Sequence, residues 1–147
     1  MKVAVLNGPN LNLLGSREPE IYGSKTLGQI EDDLRREAAE AGIELHWIQT
    51  NHEGEFVEAV QALAAGCDGA LINAAAFTHT SVAIRDALLA VPTPFVEVHL
   101  SNIFSREPER RRSMIADLAI GVVAGFGADS YRFGLQALVA SLQARES

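Results

Sequence analysis

The chain has a single cysteine, Cys67, and only two lysines, Lys2 and Lys25. One thiol permits no intramolecular disulfide, which fits a reducing cytoplasm. Cys67 follows Gly66 at the end of a helical pattern and reads as a small packing residue. Neither lysine occupies a buried strand position, where desolvation would depress an amine's pKa, so Schiff-base catalysis is not expected. Charge of one sign is also scarce. With a net charge of −7 and a pI near 5.0 there is no basic excess to neutralise phosphates, and a nucleic-acid partner is not expected. No apolar run approaches the length of a membrane span, and the chain begins directly with a strand pattern, so a cytoplasmic protein without membrane association is expected. Neither GxGxxG nor GxxxxGK[ST] occurs, which removes two common nucleotide-binding loops. With no low-complexity segment, repeat or linker, the 147 residues read as one domain spanning 1–147.

What is present is an alternation of strand and helix patterns. Val3 to Leu6 is a short apolar run, followed after a long loop by a helix capped by Thr26 and ended at Gly42. A second strand over Ile43 to Gln49 precedes a helix over Glu55 to Ala65. Gly69 to Asn73 is a third strand, and Ser81 to Ala90 a third helix with Thr80 or Thr78 near its cap. Pro94 to His99, Ala119 to Val123 and a closing helix over Ser130 to Ala144 complete the series. Strands apolar on both faces and alternating with helices predict a parallel sheet covered on both sides. The expected fold is α/β, a flavodoxin-like doubly wound five-stranded parallel sheet, whose ligands sit beyond the carboxyl ends of its strands. Polar residues cluster at those ends: Asn7 and Asn10, then Asn73 and His79, then Glu97, His99, Ser101 and Asn102.

The loop from Asn7 to Gly23 is too long for an ordinary βα connection and reads as a lid. It places Arg17 five residues before Tyr22. A phenol acting as a base near neutral pH must ionise at a cost of roughly 4 kcal/mol, which a neighbouring cation offsets. Arg17 and Arg106 are the candidate cations; the alternative is that Tyr22 is only an aromatic anchor closing the lid. His99 suits general acid chemistry, and Glu97, two residues earlier on the same strand face, can orient or tune it. A metal site is the other reading of that pair, although no third ligand has convincing spacing. His79, within Thr78-His79-Thr80-Ser81, belongs either to a polar cradle for ligand oxygens or to simple helix capping. Asp86 is a solvated charge or a contact to a neighbouring subunit. Arg106 with Arg110-Arg111-Arg112 suggests an anionic small ligand, against the alternative of a solvated face.

These segments together resemble the type II 3-dehydroquinate dehydratases. The likeness is carried by Asn7-Gly8-Pro9-Asn10-Leu11, by Arg17-Glu18-Pro19-Glu20-Ile21-Tyr22-Gly23 and by Asn73 with Phe77-Thr78-His79-Thr80-Ser81. Glu97-Val98-His99-Leu100-Ser101-Asn102 and Ser105-Arg106-Glu107-Pro108 complete it. The resemblance implies dehydration of 3-dehydroquinate to 3-dehydroshikimate, by anti elimination through an enolate and without metal or organic cofactor, in the shikimate or quinate pathway. It implies Tyr22 as the base with Arg17 keeping its phenol anionic, Asn10 holding a water on the enolate oxygen, and His99 as the acid with Glu97 behind it. It also implies substrate binding by Asn73, His79, Asp86, Arg106 and Arg110, with the backbone N–H groups of Leu100 and Ser101 on the carboxylate. A homo-oligomer, a dodecamer built from trimers, is implied as well. Three departures stand out: Ala74 where proline is common, Arg112-Ser113-Met114 for His-Ser-Tyr, and Gly127-Ala128-Asp129-Ser130-Tyr131 without a second glycine. A flavodoxin-type binding module would need a hydroxyl- and glycine-rich phosphate loop after the first strand, and a phosphorylated receiver an aspartate at position 73. The chain has neither.

Overall fold

The computed structural model describes residues 1–16 and 18–146; the side chains of Pro19 and Tyr22 are not part of that description. The expectations resting on Arg17 and on the Tyr22 phenol therefore lie outside the described residues.

Five strands, β1 (Lys2–Asn7), β2 (Glu44–Gln49), β3 (Gly69–Asn73), β4 (Phe95–His99) and β5 (Gly121–Ala124), form one parallel sheet in the order β2-β1-β3-β4-β5. Between them run α1 (Pro19–Tyr22), α2 (Leu27–Glu40), α3 (Glu53–Ala62) and α4 (Val82–Ala90), and α5 (Asp129–Arg145) closes the chain. The order reverses between β1 and β3, which is the switch point expected of a flavodoxin-like doubly wound sheet.

Successive strand residues feed two cores. Val3, Val5, Leu71, Val96 and Val98 pack with Ile30 and Leu34 of α2 and Leu135 and Leu138 of α5. Ala4, Leu6, Ala70, Ile72 and Phe95 pack on the other face with Phe56 and Val60 of α3 and Ile84 and Leu88 of α4. This period of two is why the inner strands had to be apolar throughout. The outermost strand differs. Gly121 and Val122 of β5 are exposed, so the expected cover on both faces does not extend to this edge within one chain.

Helix starts follow capping chemistry. Thr26 makes the expected cap, its hydroxyl accepting from the Gln29 N–H while Gln29 accepts from the Thr26 N–H. At α4 the expectation is corrected: Ser81, not Thr78 or Thr80, accepts from the Ile84 N–H at 2.9 Å. Ala75–His79 forms a 3₁₀ turn first, leaving Ser81 as the extended residue before the helix. The end of α3 likewise tightens into a 3₁₀ turn over Leu63–Ala65. Among the described residues no helix is long and apolar enough to cross a membrane.

Candidate functional site

The switch point puts the ends of β1 and β3 side by side, with Asn7 and Asn73 on the same rung. Beyond them the two loops touch. The Gly8 N–H donates to the Asn73 carbonyl at 2.8 Å, and a Cβ at position 8 would lie 2.2 Å from the Ala74 oxygen. Only glycine permits that approach. Asn10 follows in the left-handed region, with φ of 68°, and its N–H donates to Asn51 Oδ1 at 2.9 Å. Gln49 supports the same turn, donating to the Gly8 carbonyl and to Asn51 Oδ1, each at 3.1 Å. Gln49, at the end of the neighbouring strand β2, and Asn51, just after it, therefore brace the turn that carries Asn10 without lining the cleft, a pairing that no local sequence pattern signals.

These loops and the end of β4 form a cleft of about 90 Å³, the scale of a small molecule. Its lining brings together Asn10, Asn73, His79, His99, Leu100, Ser101, Arg106 and Arg110, eight of the expected site residues. Arg106 Nη1 donates to Ser101 Oγ at 3.4 Å, and Arg110 pairs with Glu107. Arg111 and Arg112 are exposed and do not line the cleft, Arg111 Nε donating to the Arg106 carbonyl at 2.6 Å, so the basic cluster divides into a cleft-lining half and an exposed half. Asp86 is not brought to the cleft. It is exposed on α4, whose buried face is set by Ile84, Ala87 and Leu88, so its expected contact with substrate does not form within one chain.

Two polar chains support the cleft from beneath. On the α3/α4 face, fully buried Glu97 holds His99: their Oε2 and Nε2 atoms lie 2.6 Å apart. With the carboxylate as acceptor, Nε2 carries the proton and Nδ1 is the ring nitrogen left for a ligand. Among the described residues no group of three or more His, Cys, Asp or Glu side chains surrounds the pair. On the α2/α5 face, the Tyr131 hydroxyl donates to Asn7 Oδ1 at 2.6 Å and accepts from Asn73 Nδ2 at 2.9 Å. Asn73 Oδ1 accepts from the Ala75 N–H, and Asn7 Nδ2 donates to the Ile48 carbonyl. Every amide in this chain has a defined orientation. Burial pushes the Tyr131 phenol well above its ordinary value, so it stays neutral and cannot serve as a base.

His79 lies beside His99, rings roughly parallel and 6.5 Å apart. Its Nδ1 meets the Arg112 carbonyl at 2.7 Å, which places the proton there and leaves Nε2 as an acceptor. Burial holds the imidazole below its usual value, and His99 and Arg110 add to that. A neutral acceptor, a second imidazole, amides with fixed orientation and two guanidinium groups suit a small, anionic, hydroxyl-bearing ligand. They also suit proton transfer to one of its oxygens.

A family model described as dehydroquinase class II matches residues 1–139. The chain is 58% identical over 143 residues to the 3-dehydroquinate dehydratase of Parasynechococcus marenigrum, covering 97% of this chain and 98% of the relative. It is 56% identical over 144 residues to the enzyme of the same name from Vibrio vulnificus, covering 98% and 97%. Among solved structures, a type II dehydroquinase from Butyrivibrio crossotus superposes with a TM-score of 0.92 at 38% identity, covering 94% of this chain and 97% of that one.

Proposed function

We propose, from the premise that this chain belongs to the class II dehydroquinase family, that it dehydrates 3-dehydroquinate to 3-dehydroshikimate by anti elimination through an enolate. The observation that carries the reading is the convergence of His99, His79, Asn73 and two arginines in one cleft at the switch point. The reaction needs a base for the proton alpha to the ketone, an acid for the departing hydroxyl and support for charge on the enolate oxygen.

In this reading Tyr22 is the base, its phenolate held by Arg17 and Arg106. Asn10, on its left-handed turn, holds the water that stabilises the enolate oxygen. His99, doubly protonated with its Nε2–H held by Glu97, hands its Nδ1 proton to the leaving hydroxyl and is left as the Nε2–H imidazole. Asn73, His79 and Arg110 bind the ring hydroxyls, and the backbone N–H groups of Leu100 and Ser101 bind the carboxylate. Asp86 would reach substrate only from a neighbouring subunit, which fits the proposed dodecamer of trimers. Exposed Val82 and Leu89 on the same helix, and exposed Ile120 and Val122 beside the sheet edge, support such an assembly. The chain acts as one domain over residues 1–147, in a cytoplasmic shikimate or quinate pathway.

The test is to incubate chelator-treated protein with 3-dehydroquinate and follow the ultraviolet absorbance of the conjugated enone, with and without borohydride. The expected result is steady product formation insensitive to both reagents. A folded protein that produces no enone would overturn the reading.

A further inference from the structure

Glu97 has no exposure to solvent, and a buried carboxylate with unmet hydrogen-bonding capacity is costly. His99 meets one oxygen. The other, Oε1, accepts from the Ser113 hydroxyl at 2.7 Å. Ser113 Oγ in turn accepts from the backbone N–H groups of Ile115 at 3.2 Å and Ala116 at 3.0 Å. A hydroxyl has one proton to donate and two lone pairs to accept with. Both acceptor positions are occupied, so the proton is left with one direction, toward Glu97. Ser113 does not line the cleft. It forms the outer end of a chain that runs from two backbone amides through a hydroxyl and a carboxylate to an imidazole in the cleft.

We propose that Ser113 is a positioning residue for proton transfer: it fixes the plane of the Glu97 carboxylate and thereby the angle at which His99 presents Nδ1. This rests on the dehydratase reading above. Without the hydroxyl, Oε1 loses its donor, the carboxylate is free to rotate, and the imidazole bound to its other oxygen rotates with it. The ring remains in the cleft but is misaimed. The effect therefore falls on the chemical step, and substrate binding by Asn73, His79 and Arg110 is spared.

The experiment is steady-state kinetics with 3-dehydroquinate on the wild type, Ser113→Ala, Ser113→Thr, Glu97→Gln and the Ser113→Ala/Glu97→Gln double variant, each with a thermal unfolding curve. Ser113→Ala is expected to lower kcat about 10- to 100-fold with KM little changed, the size associated with one hydrogen bond to a charged group. Ser113→Thr, which keeps the hydroxyl, is expected to restore most of kcat. In the Glu97→Gln background the loss of the hydroxyl should have little further effect, because residues acting through one another are non-additive. Should Ser113→Ala fail to fold, Ser113→Cys, a weak donor of similar size, takes its place in the cycle.

The proposal is overturned by a wild-type kcat in Ser113→Ala, by a loss confined to KM, or by an equal loss with and without the Glu97 carboxylate. Failure of Ser113→Thr to recover kcat would also overturn it, by assigning the defect to loop packing. An inactive wild type would be a separate result: it removes the dehydratase reading, and the role of Ser113 with it.

Discussion

The two faces of the sheet support the same cleft with different chemistry. On the α2/α5 face the supports are neutral: two asparagines joined through a buried tyrosine hydroxyl. On the α3/α4 face they include an ionisable pair, Glu97 and His99, backed by a hydroxyl. The neutral chain fixes the direction of hydrogen-bonding groups and is suited to holding a ligand. The other chain ends on an imidazole, a group able to pass a proton, and is suited to reacting with a ligand. Alternating residues in a strand point to opposite faces, so a single sheet edge can keep the two tasks apart.

The largest expected effects come from removing the reacting groups. His99→Ala, Tyr22→Phe and Arg17→Ala should each lower kcat by about 10²- to 10⁴-fold, the range for loss of a positioned acid or base. The fold should stay intact by circular dichroism. Full activity in Tyr22→Phe would sink the proposed base, and full activity in His99→Ala would leave the ionisable face without a task.

A smaller effect should separate the faces. Tyr131→Phe keeps the ring in the core but leaves Asn73 Nδ2 and Asn7 Oδ1 without that partner. Unfolding in denaturant should show a loss of about 1–3 kcal/mol, the usual cost of stranding buried polar groups. KM should rise several-fold while kcat changes less. If kcat instead falls as far as in His99→Ala, the division between a binding face and a reacting face is wrong.

The smallest effect concerns His79, whose ring lies beside that of His99. Its pKa is lowered chiefly by burial, so the unfolded chain takes up that proton first as pH falls. Stability should therefore decline from pH 6.5 downward through the folded-state value, and above that window this group adds no pH dependence. Comparing melting temperatures of wild type and His79→Gln across the acid range checks this. Equal pH profiles would show that His79 is not held neutral by the fold.

Much of this was legible in the sequence, for a definite reason. In a parallel sheet every strand ends on the same edge, so polar residues at the ends of separate apolar runs must meet. Asn73 and His99 were readable in that way, and the Glu97–His99 pair followed from a spacing of two along a strand. Partners reached through the third dimension were not. Tyr131 lies 58 residues from Asn73 and 124 from Asn7, and nothing local to a helix near the C-terminus announces that its hydroxyl ends beneath the cleft. Ser113 is only 16 residues from Glu97, yet it sits in an irregular segment where no periodicity predicts direction. The exposure of Asp86 on its own chain was already contained in the helical pattern, since Ile84, Ala87 and Leu88 claim the opposite face.

The chain's one tryptophan, Trp47 on β2, has its ring centre 5.8 Å from that of Tyr131, tilted by 32°. The neutral chain beneath the cleft therefore carries a built-in optical reporter. Indole emission responds to the polarity and rigidity of its neighbours, so a label-free fluorescence signal reads the side of the sheet on which Tyr131 braces Asn7 and Asn73. The imidazole side contains no such chromophore, and the two halves of the site are spectroscopically distinguishable in the unmodified protein.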